Sequence, residues 1–240
     1  MNEMFPFRKP LNSELMKKSQ EMFALLVLKH CEPERYASLF TAVAPDLQTP
    51  DKSIDIEVTY AVSQDVAKIN GEFVKYTHGK DTPQDKAECE RRIIQHGGSI
   101  DRIVVRDSEF IDVLSFPVTD SQEEMQVFEK AIRNKMKKVP TYKQRGFDNL
   151  GLFLMPDSPP IPYETSKLLS RFDDAQEGYA EKYGFLYFCY PFALLFYDCT
   201  TKEHRITKID KEDYKEMGKC ARIQVERMYG GNEAVTKSER

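Results

Sequence analysis

Asp46 follows a proline, and shortly after it the run Ser53–Val62 reads Ser-Ile-Asp-Ile-Glu-Val-Thr-Tyr-Ala-Val. Strict alternation there predicts a strand with Ile54, Ile56, Val58 and Tyr60 on one face and Asp55, Glu57 and Thr59 on the other. Carboxylates fixed on a strand and on the loop feeding it suit a hard divalent cation, because Mg²⁺ takes one or two carboxylates and keeps waters and phosphate oxygens as its other ligands. Such a pair would serve phosphodiester chemistry. A solvated acidic face is the competing reading, since half-buried strands commonly turn their polar residues to water.

A cation comes from a helix expected to open at Asp120 or Ser121. At roughly 100° per residue, Met125, Phe128, Ile132, Met136 and Val139 form an apolar stripe about 80° wide, and Lys135 falls within it or at its edge. An ammonium turned toward a core either snorkels past its neighbours or meets a carboxylate. Were Lys135 to meet Asp46 and Glu57, the two acids would hold Mg²⁺, with Mn²⁺ as an alternative. The metal would lower the pKa of a bound water, and the ammonium would orient that water or offset charge on the phosphate. Asp51, also preceded by proline, competes with Asp46; Asp55 lies about 6–7 Å along the strand from Glu57 and would flank the pair. Glu14 or Glu21 on the first helix could complete the set, against an ordinary surface-charge reading for each. Arg91, Arg92, Arg102, Arg106, Lys138, Lys143 and Arg145 are candidate phosphate contacts, and Tyr142 a candidate to stack on a base.

The elements that must position these groups are legible along the chain. Asn12 or Ser13 can cap a first helix to about His30; an extended segment near Tyr36–Val43 leads to the Pro45-Asp46 loop and the acidic strand. Helices follow from Ser63 to about Tyr76, stopping near Gly79, and from Pro83 to Gln95, stopping at Gly97-Gly98. Arg102–Arg106 and Phe110–Phe116 suit a hairpin turning at Asp107-Ser108. Beyond the Lys135 helix come a short strand Leu150–Met155, a proline-rich loop Pro156–Pro162 and a helix over Ser166–Lys182. The strands Phe185–Tyr190, Phe192–Asp198 and Arg205–Lys208 precede a closing helix capped by Asp210 and ended at Gly230-Gly231. The near-continuous apolarity of the late strands implies a sheet covered on both faces. The expected architecture is α/β, a mixed central sheet flanked by helices, as one domain over residues 1–230 with a loose tail over 231–240.

Composition excludes several classes. With 40% hydrophobic and 31% charged residues the chain is an ordinary folding sequence, and a net charge of −4 removes bulk positive charge as a means of binding nucleic acid. Cys31, Cys89, Cys189, Cys199 and Cys220 lack Cys-x-x-Cys spacing and His30, His78, His96 and His204 are scattered, which argues against a disulfide framework and against zinc. Nothing in Met1–Pro10 reads as a signal sequence and no run suits a bilayer, so a cytoplasmic protein is expected. Phosphate-binding glycine loops and Gly-x-Ser-x-Gly elbows are absent.

Pro45-Asp46 followed by Glu57-Val58-Thr59 on a strand resembles the PD-(D/E)xK, restriction-endonuclease-like nuclease superfamily. The resemblance implies a restriction-endonuclease-like core, here with extra C-terminal strands and a helix, in which Asp46 and Glu57 bind Mg²⁺ and a lysine two residues beyond the Glu assists the attacking water. Thr59 stands at that position. Some members carry the lysine on a neighbouring helix, which makes Lys135 the candidate, with Lys68 and Lys75 behind it. More narrowly, Ile56–Thr59, Gly97-Gly98, Lys135 through Tyr142 and Phe185–Tyr197 resemble a bacterial family of unassigned function. The resemblance implies a nuclease acting on nucleic acid, or a catalytically inactive nuclease-like fold serving as a nucleic-acid- or protein-binding module; a homodimer is compatible with either.

Overall fold

The computed structural model describes residues 11, 13–78, 82–106, 109–116, 121–156 and 165–229. The hairpin turn Asp107-Ser108, the glycine stops at 79 and 230–231, the proline-rich loop beyond Pro156 and the tail 231–240 fall outside these residues. The chain divides into two compact units: the larger takes Asn12–Ala61 and Met125–Arg240, and the smaller takes Met1–Leu11 and Val62–Glu124.

The larger unit is α/β. Its seven-stranded sheet has the order β1-β2-β3-β6-β7-β8-β9, with β1 (Phe40–Thr41), β2 (Leu47–Gln48), β3 (Asp55–Ala61), β6 (Leu150–Pro156), β7 (Phe185–Tyr190), β8 (Ala193–Asp198) and β9 (His204–Lys208). The pairs β3·β6 and β6·β7 are parallel and the others antiparallel, so the sheet is mixed. The extended segment expected near Tyr36–Val43 shrinks to two residues, because turns occupy the chain before it.

Helices cover both faces. On one side Ala24, Val27 and Leu28 of α1 (Ser13–Cys31) and Ala221 and Val225 of α7 (Lys211–Tyr229) pack with Ile56, Phe153 and Tyr187. On the other, Ile132 and Met136 of α4 (Ser121–Met136), Val139 and Tyr142 of α5 (Val139–Gln144) and Phe172 of α6 (Thr165–Gln176) pack with Leu150, Leu152, Leu154 and Phe188. That double cover explains why β6 to β8 are apolar almost throughout. Asp210 caps α7 as its position predicts, its carboxylate accepting the Glu212 N–H at 2.7 Å.

Pro140 separates the Lys135 helix, which ends about where its terminal lysines place it, from a second short helix. It lacks an N–H and would clash with the preceding turn inside a helix, so α4 stops at Met136 and α5 begins anew with the proline in its first turn. The helix expected over Ser166–Lys182 ends at Gln176, and Gly178 follows in the left-handed region at φ 81°.

The smaller unit packs α2 (Gln64–His78) and α3 (Pro83–Gln95) with the hairpin of β4 (Ser99–Arg106) and β5 (Glu109–Ser115). Thr82 caps α3 by accepting the Asp85 N–H, and Gly97 leaves it at φ 83°. Gly98 is compact by necessity: a Cβ there would lie 3.0 Å from both Ile93 Cγ2 and Ser115 O.

Candidate functional site

The site is built on an unpaired stretch of strand edge. β2 is only two residues long, and its register with β3, Leu47 to Ile56 and Gln48 to Asp55, ends before Val58. The backbone groups of Val58 therefore need other partners. Side chains supply them: the Val58 N–H donates to Asp46 Oδ2 at 2.9 Å, and the Val58 carbonyl accepts from Lys135 Nζ at 2.9 Å. The strand edge itself thus sets an acid and an ammonium side by side.

Glu57 lies between these contacts on β3 and is completely buried, on the face covered by α4 and α5. Its acidic face is therefore not the solvated one that alternation alone allows. Glu57 Oε1 accepts from Lys135 Nζ at 2.6 Å and from Lys138 Nζ at 2.6 Å, and Glu57 Oε2 accepts from the Tyr142 hydroxyl at 2.6 Å. Burial acts to raise the Glu57 pKa, but the Lys135 charge and the bonds from Lys135, Lys138 and Tyr142 outweigh it and hold the carboxyl below its usual range. Burial beside Glu57 pushes the Tyr142 hydroxyl up, so it stays a donor. Tyr183 steadies the lysine from behind, its hydroxyl donating to the Lys135 carbonyl at 3.2 Å.

Asp46 has the opposite balance. Burial, and then the neighbouring Glu57 charge, raise its pKa despite the Val58 amide and Lys135. From α1, Lys17 Nζ approaches Asp46 Oδ1 at 3.6 Å and Glu21 Oε1 at 3.4 Å. Glu21 is buried; Lys18 bonds its Oε2 at 2.8 Å, whereas its Oε1 has no hydrogen bond. Although burial disfavours the Lys17 ammonium, Asp46 and Glu21 raise its pKa overall.

Among the described residues no three His, Cys, Asp or Glu side chains converge as a metal-binding group. Mg²⁺ does not require three, and the oxygen donors of Asp46 and Glu57, where burial and then the Glu57 charge raise the Asp46 pKa, fit a hard cation by type and charge. Glu57 meets the condition only if one of its present donors moves aside.

Of the residues singled out in the sequence, Asp46, Glu57 and Lys135 come together. Thr59 shares the strand face but adds no hydrogen bond to the cluster among the described residues. Glu21 joins from α1 while Glu14 is exposed; Asp51 is taken up by the Ser53 N–H and hydroxyl. Lys68 and Lys75 pair with Asp65 and Glu72 within the smaller unit. Arg91 and Arg92 bond Glu88, and Arg102 bonds Asp112. Tyr142 is no stacking platform: it is buried, edge-on to Phe147, and bonded to Glu57. The roles of Lys138, Tyr142 and Lys17 were not read from sequence. The spacing of three between Lys135 and Lys138, that of neighbours on one helical turn, is a signal for Lys138; Pro140 interrupts the helix before Tyr142 and leaves no such signal there.

Comparison with protein-family models, with curated proteins and with solved structures finds no match for this chain. Among the described residues no helix is long and apolar enough to cross a membrane.

Proposed function

We propose that the chain is a metal-dependent nuclease that hydrolyses phosphodiester bonds of nucleic acid, with Asp46 and Glu57 as the acids and Lys135 as the catalytic ammonium. The observation that carries this reading is the seat of Lys135, whose Nζ bonds both Glu57 Oε1 and the carbonyl of Val58, next to the amide that holds Asp46. An ammonium so fixed cannot snorkel; it stays where an attacking oxygen or a phosphate oxygen would meet it. The place of α1 ahead of the sheet is in keeping with the superfamily resemblance.

Asp46 and Glu57 would hold Mg²⁺ or Mn²⁺, which when bound supplies a Lewis acid beside the phosphate. The protein's own groups do the rest. Tyr142 and Lys135 fix the Glu57 carboxylate from two sides and keep it ionised; Lys135, which spends protons on Glu57 Oε1 and the Val58 carbonyl, would have one more to offer a phosphate oxygen; burial under α4 and α5 keeps water from dispersing these charges. Incubation of the purified protein with single- and double-stranded DNA and RNA in Mg²⁺ or Mn²⁺ tests the proposal. Cleavage that disappears in Glu57→Ala and Lys135→Met supports it; no cleavage of any substrate refutes it.

One observation favours a second reading, that of a noncatalytic binding module. Both Glu57 oxygens are already engaged by protein donors, so the cluster is closed as it stands. Retention of nucleic acid in gel shifts without cleavage, unchanged by Glu57→Ala, would select this reading.

A further inference from the structure

We propose that Lys138 is the internal place-holder for the divalent cation, occupying Glu57 in its absence and released when the ion binds. This rests on the nuclease reading of the site but concerns cation affinity rather than cleavage.

The three donors on Glu57 are not equivalent. Lys135 is 17% exposed and donates to two acceptors, Glu57 Oε1 and the Val58 carbonyl. Tyr142 is buried in the core, edge-on to Phe147. Lys138 is 47% exposed, and among the described residues its ammonium has one acceptor, Glu57 Oε1. It also sits at the cap position of α5 without a side-chain capping bond, so its release leaves the helix terminus unchanged. Of the three, Lys138 can swing into solvent at least cost, since a long exposed side chain regains its rotamer freedom and its hydration there.

Lys138 also shares its acceptor with a second ammonium. Its Nζ and that of Lys135 both lie 2.6 Å from the same oxygen, which sets two positive charges close together on one acceptor. A divalent ion held by Glu57 and Asp46 would offset the repulsion between the two carboxylates, and with Lys138 expelled it would meet one ammonium fewer at Glu57. Lys17 approaches Asp46 only to 3.6 Å and is itself 56% exposed, so it opposes the ion less directly.

Titration of Mn²⁺ into the full-length protein without nucleic acid, followed by calorimetry, tests this. Lys138→Met and Lys138→Gln are expected to bind Mn²⁺ about tenfold or more tightly than wild type, Lys138→Arg to stay within a few-fold of wild type, and Glu57→Gln to abolish binding in each background. Equal or weaker binding in both neutral variants, with melting temperatures showing them folded, overturns the proposal, as does absence of binding in wild type and both neutral variants alike. The nuclease reading fails separately: tighter binding in the neutral variants with no cleavage of any substrate by wild type keeps the place-holder and removes the enzyme.

Discussion

Lys135 Nζ lies 2.6 Å from Glu57 Oε1 although the two residues are 78 positions apart in the chain. All of Val62–Glu124, a unit with its own small core, intervenes between the strand that carries the acid and the helix segment that carries the lysine. Breaking a buried pair by removing one partner typically costs about 3–5 kcal/mol, because the other charge is left uncompensated. Lys135→Met is expected to cost less, about 2–3 kcal/mol, since Lys138 and Tyr142 remain on Glu57. The double variant with Glu57→Gln should recover part of that loss. Urea denaturation of the four proteins measures the coupling, and additive losses would show that the pair is not energetically linked.

Tyr142→Phe removes one hydroxyl and leaves Glu57 Oε2 buried without its donor. A loss of about 1–3 kcal/mol in stability is expected. If the protein cleaves nucleic acid, kcat should fall while KM changes little, because Tyr142 orients Glu57 and does not reach the surface where a polymer would bind. A rise in KM with unchanged kcat would instead return Tyr142 to the role of a base-stacking residue.

Gly151 on β6 faces Tyr187 so closely that a Cβ would lie 2.8 Å from its ring. Tyr187 is fully buried, and its hydroxyl accepts a bond from the Tyr36 hydroxyl at 3.0 Å. Gly151→Ala must push the ring and break or lengthen that bond, an overpacking expected to cost about 1–3 kcal/mol. The pair lies on the sheet face covered by α1 and α7, whereas Glu57 is on the opposite face. Thermal melting should therefore shift downward while Mn²⁺ affinity stays as in wild type.

What was legible in the sequence was whatever local periodicity records. Alternation placed Glu57 and Val58 on opposite faces, and the helical stripe turned Lys135 inward; both features depend on near neighbours alone. β1 and β2, at two residues each, are too short to show a period, so the bare edge at Val58 that seats Asp46 and Lys135 was invisible. Lys138 and Tyr142 stand on either side of Pro140, which restarts the helix, so their approach to Glu57 depends on the packing of α5 with Phe147 and Leu150 rather than on its own six residues. Lys17 and Glu21 stand four apart on α1 and resemble any surface ion pair; only the fold reveals that Glu21 is buried and that Lys17 also faces Asp46. The separation into two units left no trace, since Val62–Glu124 has no linker-like composition at either end.

Asp55, two residues before Glu57, gives a pH signature of its own. Its carboxyl is fully buried, neither oxygen has a hydrogen-bond partner, and burial raises its pKa from an ordinary 3.8 to about 7, with Lys52 opposing and Asp51 and Asp148 adding to the rise. Between these values the folded protein binds a proton at Asp55 that the unfolded chain has released, so this group stabilises the fold fully below about pH 4 and loses that contribution as pH rises through about 7. Glu57, held below its usual range, works in the reverse sense and loses its contribution in acid. The two are separated by difference: Asp55→Val should be more stable than wild type above pH 7, by about 1–3 kcal/mol for removal of a buried unpaired polar group, and the advantage should shrink steadily as pH falls toward 5. Urea midpoints measured from pH 5 to pH 8 check this, and parallel curves for the two proteins would show that Asp55 is not the group that titrates.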